Sequence, residues 1–270
     1  MQKKIGFIGA GKMAQAMIGG IINSNIVSPN WLIASAKSEK TIDKVKQKFL
    51  IETTTDNKTV AMQADILFLA VKPDLHFSII EEIRGVVKQD AIIITIAAGI
   101  RLHDLEEAFH RKIKAIRSMP NTPSLIGEGM SAVCKNEWIT EEDLQQVVQL
   151  FSSFGKVEVI EEKFMDSIPA ISGSSPAYVY LFIEALADGG VKSGLSREQA
   201  YKLAAQAVLG AAKMVLETGK HPGELKDEVC TPGGATIAAV AELEKQGLRA
   251  AVLSAMESCE QKTKVLGKTD

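Results

Sequence analysis

A chain of 270 residues with 46% hydrophobic and 24% charged residues can bury one large core or two ordinary ones, the balance of a globular protein in water. Its formal net charge of −2, with no lysine and arginine cluster interleaved with aromatics, excludes a basic field for nucleic acid. The longest apolar tract, Leu203 to Leu216, contains Lys213 and is too short to span a bilayer, and the opening "MQKKIGFIGAGKM" lacks the continuous apolar core of a signal peptide. The expected location is cytoplasmic, with no membrane and no nucleic-acid partner.

Cys134, Cys230 and Cys259 are widely spaced, with neither the even count of a disulfide framework nor the close pairs of a zinc site. His76, His103, His110 and His221 are equally scattered, so no metal is expected.

In chain order, Lys4 to Ile8 is a short apolar run, after which "GAGKMA" (Gly9 to Ala14) opens a helix carrying Met13, Met17, Ile18, Ile21 and Ile22 at helical spacing. Trp31 to Ser35, Asp65 to Val71, Ala91 to Gly99 and Lys112 to Met119 read as further strands separated by helical patterns. Such alternation implies right-handed crossovers and a mostly parallel sheet covered on both faces. "GMSAVC" and "KVEVI", flanking a helix from Glu141 to Phe154, add outer strands, and the sheet is expected to end near Ile160. From Phe164 onward alanine-rich helical repeats take over. There "SGSSPAY" offers Ser174 or Ser175 as an N-cap with Pro176 in the first turn, a break is expected at Gly189 and Gly190, and a new helix at the Ser196 cap. The fold class is therefore α/β: a Rossmann-like, doubly wound domain over residues 1–161, then an all-helical domain over 162–270.

The glycine turn carries the first chemistry. Gly9 allows a tight turn, Gly11 lets a pyrophosphate approach the backbone, and Ala14 lets helix and sheet pack, with the phosphates at a helix N-terminus. A Gly-x-Gly-x-x-Ala match is weak alone, and its position between an N-terminal strand and a helix is the confirming context. The second strand ends in "ASAKSEK" rather than in the acidic residue that holds an NAD ribose, and Ser35 and Lys37 suit a ribose phosphate. The expected cofactor is NADPH, with NADH as the alternative.

A second break, "DEVCTPGGATI" (Asp227 to Ile237), sets Pro232, Gly233 and Gly234 before an apolar helical repeat. By itself it is either a helix–helix turn or an anion site, and the turn is the commoner of the two.

With "IGFIGAGKMAQAM", "DILFLAVKP", "AAG", "MPNTP", "SGSSPAY" and "ALADGGVKSGL" in this order, that segment resembles the pyrroline-5-carboxylate reductase family, which carries out the last step of proline synthesis, over essentially the whole chain. Ser175 stands where the family often has glycine, and Thr231 where it often has serine. The resemblance implies reduction of the cyclic imine pyrroline-5-carboxylate to proline, with hydride from NAD(P)H. A protonated imine is already an electrophile, so catalysis becomes mainly positioning. On that basis the amides of Gly233, Gly234, Ala235 and Thr236 form a cup for the substrate carboxylate, and Thr236 and Thr231 place hydroxyls near the ring nitrogen. To an expected cofactor site of Gly9, Gly11, Lys12, Met13, Ser35, Lys37 and Ala70, the resemblance adds Asn57, Lys72, Pro73, Ala97, Ala98, Gly99 and Asn121, and it implies interleaved helical domains in a homodimer or an oligomer of dimers.

Two other functions fit the two-domain plan: another NADP-dependent imine or hydroxyacid reductase, and a non-enzymatic dinucleotide sensor. A hydroxyacid dehydrogenase is expected to carry Lys-x-x-x-Asn in the first helix of its second domain, where "AYVYLFIEALADGG" has no lysine.

Overall fold

The computed structural model describes residues 2–266; residues 1 and 267–270, the outer ends of the two expected domains, lie outside the described residues. Eight strands form one sheet in the order β3-β2-β1-β4-β5-β6-β7-β8. They are β1 (Ile5–Ile8), β2 (Leu32–Ser35), β3 (Glu52–Thr54), β4 (Ile66–Leu69), β5 (Ile92–Thr95), β6 (Lys114–Met119), β7 (Gly129–Lys135) and β8 (Gly155–Val159). Neighbours run parallel except for β6 and β7, which are antiparallel.

Strands β1, β2, β4 and β5 are buried at every position, and that is why their sequences read as unbroken apolar runs rather than as alternation. Alternate residues nevertheless feed two separate cores. Ile5, Phe7, Ile66, Phe68, Ile92 and Ile94 face one layer, and Ile8, Leu67, Leu69 and Ile93 the other. In the first layer Phe7 and Phe68 stack with centroids 4.6 Å apart, and Met17, Ile18 and Ile21 of α1 (Lys12–Asn23) close over the same face. Full burial of each such side chain contributes about 1.5–3 kcal/mol.

The remaining helices of this part are α2 (Glu39–Phe49), α3 (Asn57–Gln63), α4 (His76–Ile83), α5 (Leu102–Phe109) and α6 (Glu141–Ser152). Their starts follow local chemistry: Ser38 caps α2, Asp56 caps α3, and Thr140 with Asp143 forms a reciprocal capping box on α6.

The strand expectations agree with the sheet, save for β3, which the sequence does not reveal. Its three residues are polar and partly exposed at the sheet edge, so they carry no apolar signal.

The chain forms two compact units, one comprising the residues up to Ser174 together with those from Ser258 onward, the other Ser175–Glu257. The second holds α7 (Ser175–Lys192), α8 (Arg197–Thr218), α9 (Pro222–Val229), α10 (Ala235–Lys245) and the start of α11 (Leu248–Leu266). The expected break at Gly189 and Gly190 is not there. Helix α7 runs through both, and a Cβ on Gly190 would lie 3.1 Å from the Ala200 Cβ, so this glycine serves the close approach of α7 and α8. The chain turns instead at Gly194, with φ +98°, before the Ser196–Gln199 capping box. Nor does a serine cap start α7. A π-helical turn over Pro169–Gly173 leads into it, Ser174 is helical in backbone, and its amide donates to the Pro169 carbonyl at 2.7 Å.

Candidate functional site

At the head of the sheet, β1 passes into α1 through Gly9 at φ +96°, where a Cβ would lie 2.4 Å from the Ala70 carbonyl oxygen. Only glycine fits there. Gly11 is the N-cap of α1, with open space beside it, no capping side chain and no acidic residue in the first turn. The first amides of a helix lack intrahelical acceptors, so Lys12 and Met13 begin a positive, uncapped end. Ala14 is buried against the sheet.

Pockets open on both sides of this turn. One, of about 410 Å³, is walled by Gly9, Lys37, Thr55, Asn57, Leu75 and Glu82 among others. The other, of about 380 Å³, is walled by Met13, Ala98, Asn121, Ser174, Lys262 and Thr263 among others. Both lie where open parallel sheets take ligands. An uncapped helix start between two pockets, each with a lysine in its wall, is a donor set that fits a phosphorylated dinucleotide.

The sequence-predicted residues take different places around this cradle. Lys37 is exposed at the first pocket. Ser35 is completely buried and donates its hydroxyl to Asn57 Oδ1 at 2.7 Å, while Asn57 Nδ2 donates to Glu82 at 3.0 Å. Ser35 thus supports Asn57 rather than lining the pocket. Asn121 is a clamp as well as a wall: its Nδ2 donates to the Ser172 carbonyl at 3.0 Å and its Oδ1 accepts the Met130 amide at 2.8 Å. Ala70, Lys72, Pro73, Ala97 and Gly99 follow β4 and β5; in the pocket walls these loops are represented by Val71, Leu75 and Ala98.

Several residues escaped the sequence reading. Glu82 fixes Asn57 from α4. From α11, Cys259 reaches Ser174 at 3.4 Å and Lys262 and Thr263 join the second pocket wall, with no motif to announce them. Arg117, 2% exposed, pairs with Asp166 at 2.5 Å and with Glu162 at 3.6 Å. Burial pushes the nearby Cys134 thiol up to about 12, which leaves it protonated and inert. His76, one of the four scattered histidines, is wholly buried beside Thr95, and burial holds its pKa below the usual imidazole range.

In the helical unit, Gly233 has φ +70° and Gly234 is the N-cap of α10, again without a capping side chain or an acidic first turn. The four-amide cup needs one correction. The Gly234 amide donates to the Thr231 carbonyl at 3.0 Å and closes the turn, which takes it out of the expected set of Gly233, Gly234, Ala235 and Thr236. The Thr231 hydroxyl lies over this turn, where a Cβ on Gly234 would come within 2.3 Å of Thr231 Oγ1.

Among the described residues no group of three His, Cys, Asp or Glu side chains is arranged to hold a metal, and no helix is long and apolar enough to cross a membrane.

A Rossmann-type sheet with an uncapped dinucleotide turn, on one chain with a helical unit carrying a second uncapped helix start, defines a two-domain nicotinamide-dependent oxidoreductase class. Residues 162–266 match the pyrroline-5-carboxylate reductase dimerisation family, and residues 4–99 the NADP oxidoreductase, coenzyme F420-dependent family. The chain is 47% identical over 269 residues to the pyrroline-5-carboxylate reductase of Escherichia coli K12, with 100% of each chain covered. It is similar to the crystal structure of the Plasmodium falciparum pyrroline carboxylate reductase with NADP bound, at 37% identity and TM-score 0.90 over 99% of each chain. The Coxiella burnetii pyrroline-5-carboxylate reductase gives 33% identity and TM-score 0.92 over 100% of each. The chain belongs to the pyrroline-5-carboxylate reductase family.

Proposed function

We propose that this chain reduces pyrroline-5-carboxylate to proline with NADPH, and with NADH less well. The observation that carries the reading is the pair of uncapped helix starts, at α1 and α10, in a chain 47% identical from end to end to a reductase of that name.

Gly9, Gly11 and the first amides of α1 hold the pyrophosphate, and Lys37 takes the ribose phosphate at the pocket it lines. Asn57, held by Ser35 and Glu82, presents a fixed amide beside the adenosine half. Ala98 and Asn121 wall the nicotinamide end. When bound, the cofactor supplies a hydride. The Gly233, Ala235 and Thr236 amides, with the dipole of α10, orient the substrate carboxylate. On reduction a C–H bond forms at the imine carbon and the C=N π pair moves onto nitrogen. The Thr236 hydroxyl, and the Thr231 hydroxyl with it, hydrogen-bonds the nitrogen as it becomes an amine. This chemistry needs no nucleophile and no catalytic histidine.

In this reading residues 1–161 serve the dinucleotide, and the helical domain from 162 serves substrate and self-association. Support for association is the poverty of the helical unit's own core: among its described residues only Ala187, Ala200 and Ala204 are buried, while Tyr180, Leu181, Leu203, Leu216 and Leu253 are 60% exposed or more. A homodimer, or an oligomer of dimers, buries them. Three unpaired cysteines accord with a cytoplasmic location.

The test is loss of reduced-nicotinamide absorbance on adding pyrroline-5-carboxylate to purified protein and NADPH. Turnover only with a hydroxyacid or another imine assigns a different reductase, and NADPH binding without turnover on any of them assigns a sensor.

A further inference from the structure

His76 begins α4 and is completely buried, although burying an imidazole is costly unless both ring nitrogens are satisfied. Both are. Nδ1 lies 3.2 Å from the Lys72 carbonyl oxygen and Nε2 lies 2.8 Å from Thr95 Oγ1. A carbonyl only accepts, so Nδ1 carries the proton. In the neutral ring that burial favours, Nε2 is then the acceptor, and Thr95 donates to it. Thr95 Oγ1 in turn accepts the Ala97 amide at 3.2 Å, and the Thr95 carbonyl accepts from the Ser118 hydroxyl at 2.8 Å.

The result is one hydrogen-bonded chain from the backbone of Lys72 to the backbone of Ala97. These two residues lie just past the carboxyl ends of β4 and β5, in the loops that carry Val71 and Leu75 into one pocket wall and Ala98 into the other. A leucine would fill the same space without the cost of burying two polar nitrogens. What the histidine adds is a fixed spacing between the loops.

We propose that His76 is a positioning residue for the dinucleotide: through Thr95 it locks the loops after β4 and β5 to each other, so that both pockets are set before the cofactor arrives. The inference rests on the dinucleotide reading above. Preorganisation of this kind acts on cofactor affinity rather than on the chemical step.

The test is NADPH affinity by fluorescence titration, with kcat at saturating NADPH measured alongside. His76→Leu is expected to weaken NADPH binding about tenfold, roughly the equivalent of one lost net hydrogen bond, with kcat within about twofold of the parent. Thr95→Val, which removes the middle link and keeps the shape, is expected to produce the same loss, and the double variant no further loss. Ile93→Val, a small cavity in the same core layer, controls for destabilisation and is expected to leave affinity unchanged. If His76→Leu and Thr95→Val lower the melting temperature but bind NADPH as the parent does, or if their losses simply add, the locking role is wrong. Should His76→Leu fail to fold, Thr95→Val decides: normal affinity in that variant overturns the proposal. A parent protein that binds no NADPH at all refutes instead the dinucleotide reading on which the proposal stands.

Discussion

In the proposed mechanism Lys37 and Thr236 each make one bond count, in different states of the reaction. Lys37 is a cation at the edge of the first pocket, and in the proposed mechanism its charge is what would distinguish a phosphorylated ribose from a plain one. Lys37→Ala is expected to lower kcat/KM for NADPH by about tenfold and leave that for NADH nearly unchanged, measured with both cofactors. Thr236 is proposed to offer a hydroxyl whose bond strengthens as the imine nitrogen becomes an amine. Thr236→Val is therefore expected to lower kcat by about 10–100-fold while NADPH affinity stays put; unchanged kcat would reduce this threonine to a helix-start residue. His76 adds a dependence on pH. Its folded pKa lies below the unfolded value, so between the two the unfolded chain binds a proton that the folded chain refuses. Stability is then full above about pH 6.5 and falls as pH drops through that window. The melting temperature is expected to decline from pH 7.5 to 5.5, and more gently in His76→Leu; parallel profiles would remove His76 from the account.

At the scale of the element, α1 does two jobs, because its N-terminus faces the turn while its flank packs against Phe49 of α2 and against Phe154, just past α6. Gly19 and Gly20 sit on that flank, and by helix propensity either would be better as alanine by about 1 kcal/mol. Packing decides otherwise at Gly20, where a Cβ would meet the Phe154 Cβ at 2.5 Å and its Cα at 3.2 Å. At Gly19 the nearest atom is the far edge of the Phe49 ring at 3.3 Å. Gly20→Ala is thus expected to cost a net 1–3 kcal/mol or thereabouts in denaturant unfolding, since Phe154 is fully buried and has no room to yield. Gly19→Ala is the matched control, with a change of about 1 kcal/mol or less in either direction. Equal effects would mean that the flank is softer than its contacts indicate. The same competition explains Gly190 of α7, which looks like a helix breaker in sequence and is a packing residue in space.

For the whole molecule the controlling quantity is buried area. The sheet unit has two continuous cores, whereas the helical unit buries little more than three alanines. Folding of the latter is expected to be coupled to association, so the melting temperature should rise with protein concentration. Leu253, 61% exposed, sharpens the test. On a free surface Leu253→Glu changes stability by no more than about 0.5 kcal/mol, whereas in a buried interface it dissociates the oligomer. Light scattering that reports an unchanged particle, together with a concentration-independent melting temperature, would refute association through this face.

The sequence alone determined what nearest neighbours determine. The strand–glycine turn–helix at Gly9 to Ala14, the alternation that makes the sheet parallel, the change to helices past Phe164 and the break before α10 are all legible, because apolar periodicity and glycine chemistry act within a few residues. Tertiary structure decided whatever depends on partners far along the chain. The polar edge strand β3 is ordered by its pairing with β2, Gly190 is a packing residue because Ala200 is opposite, and the Gly234 amide is committed to its own turn by Thr231. Ser35 serves Asn57, His76 meets Thr95, and Cys259 comes back to Ser174 across 85 positions. Such contacts repeat with no period and need no particular spacing, so they leave no trace in the sequence until the chain has folded.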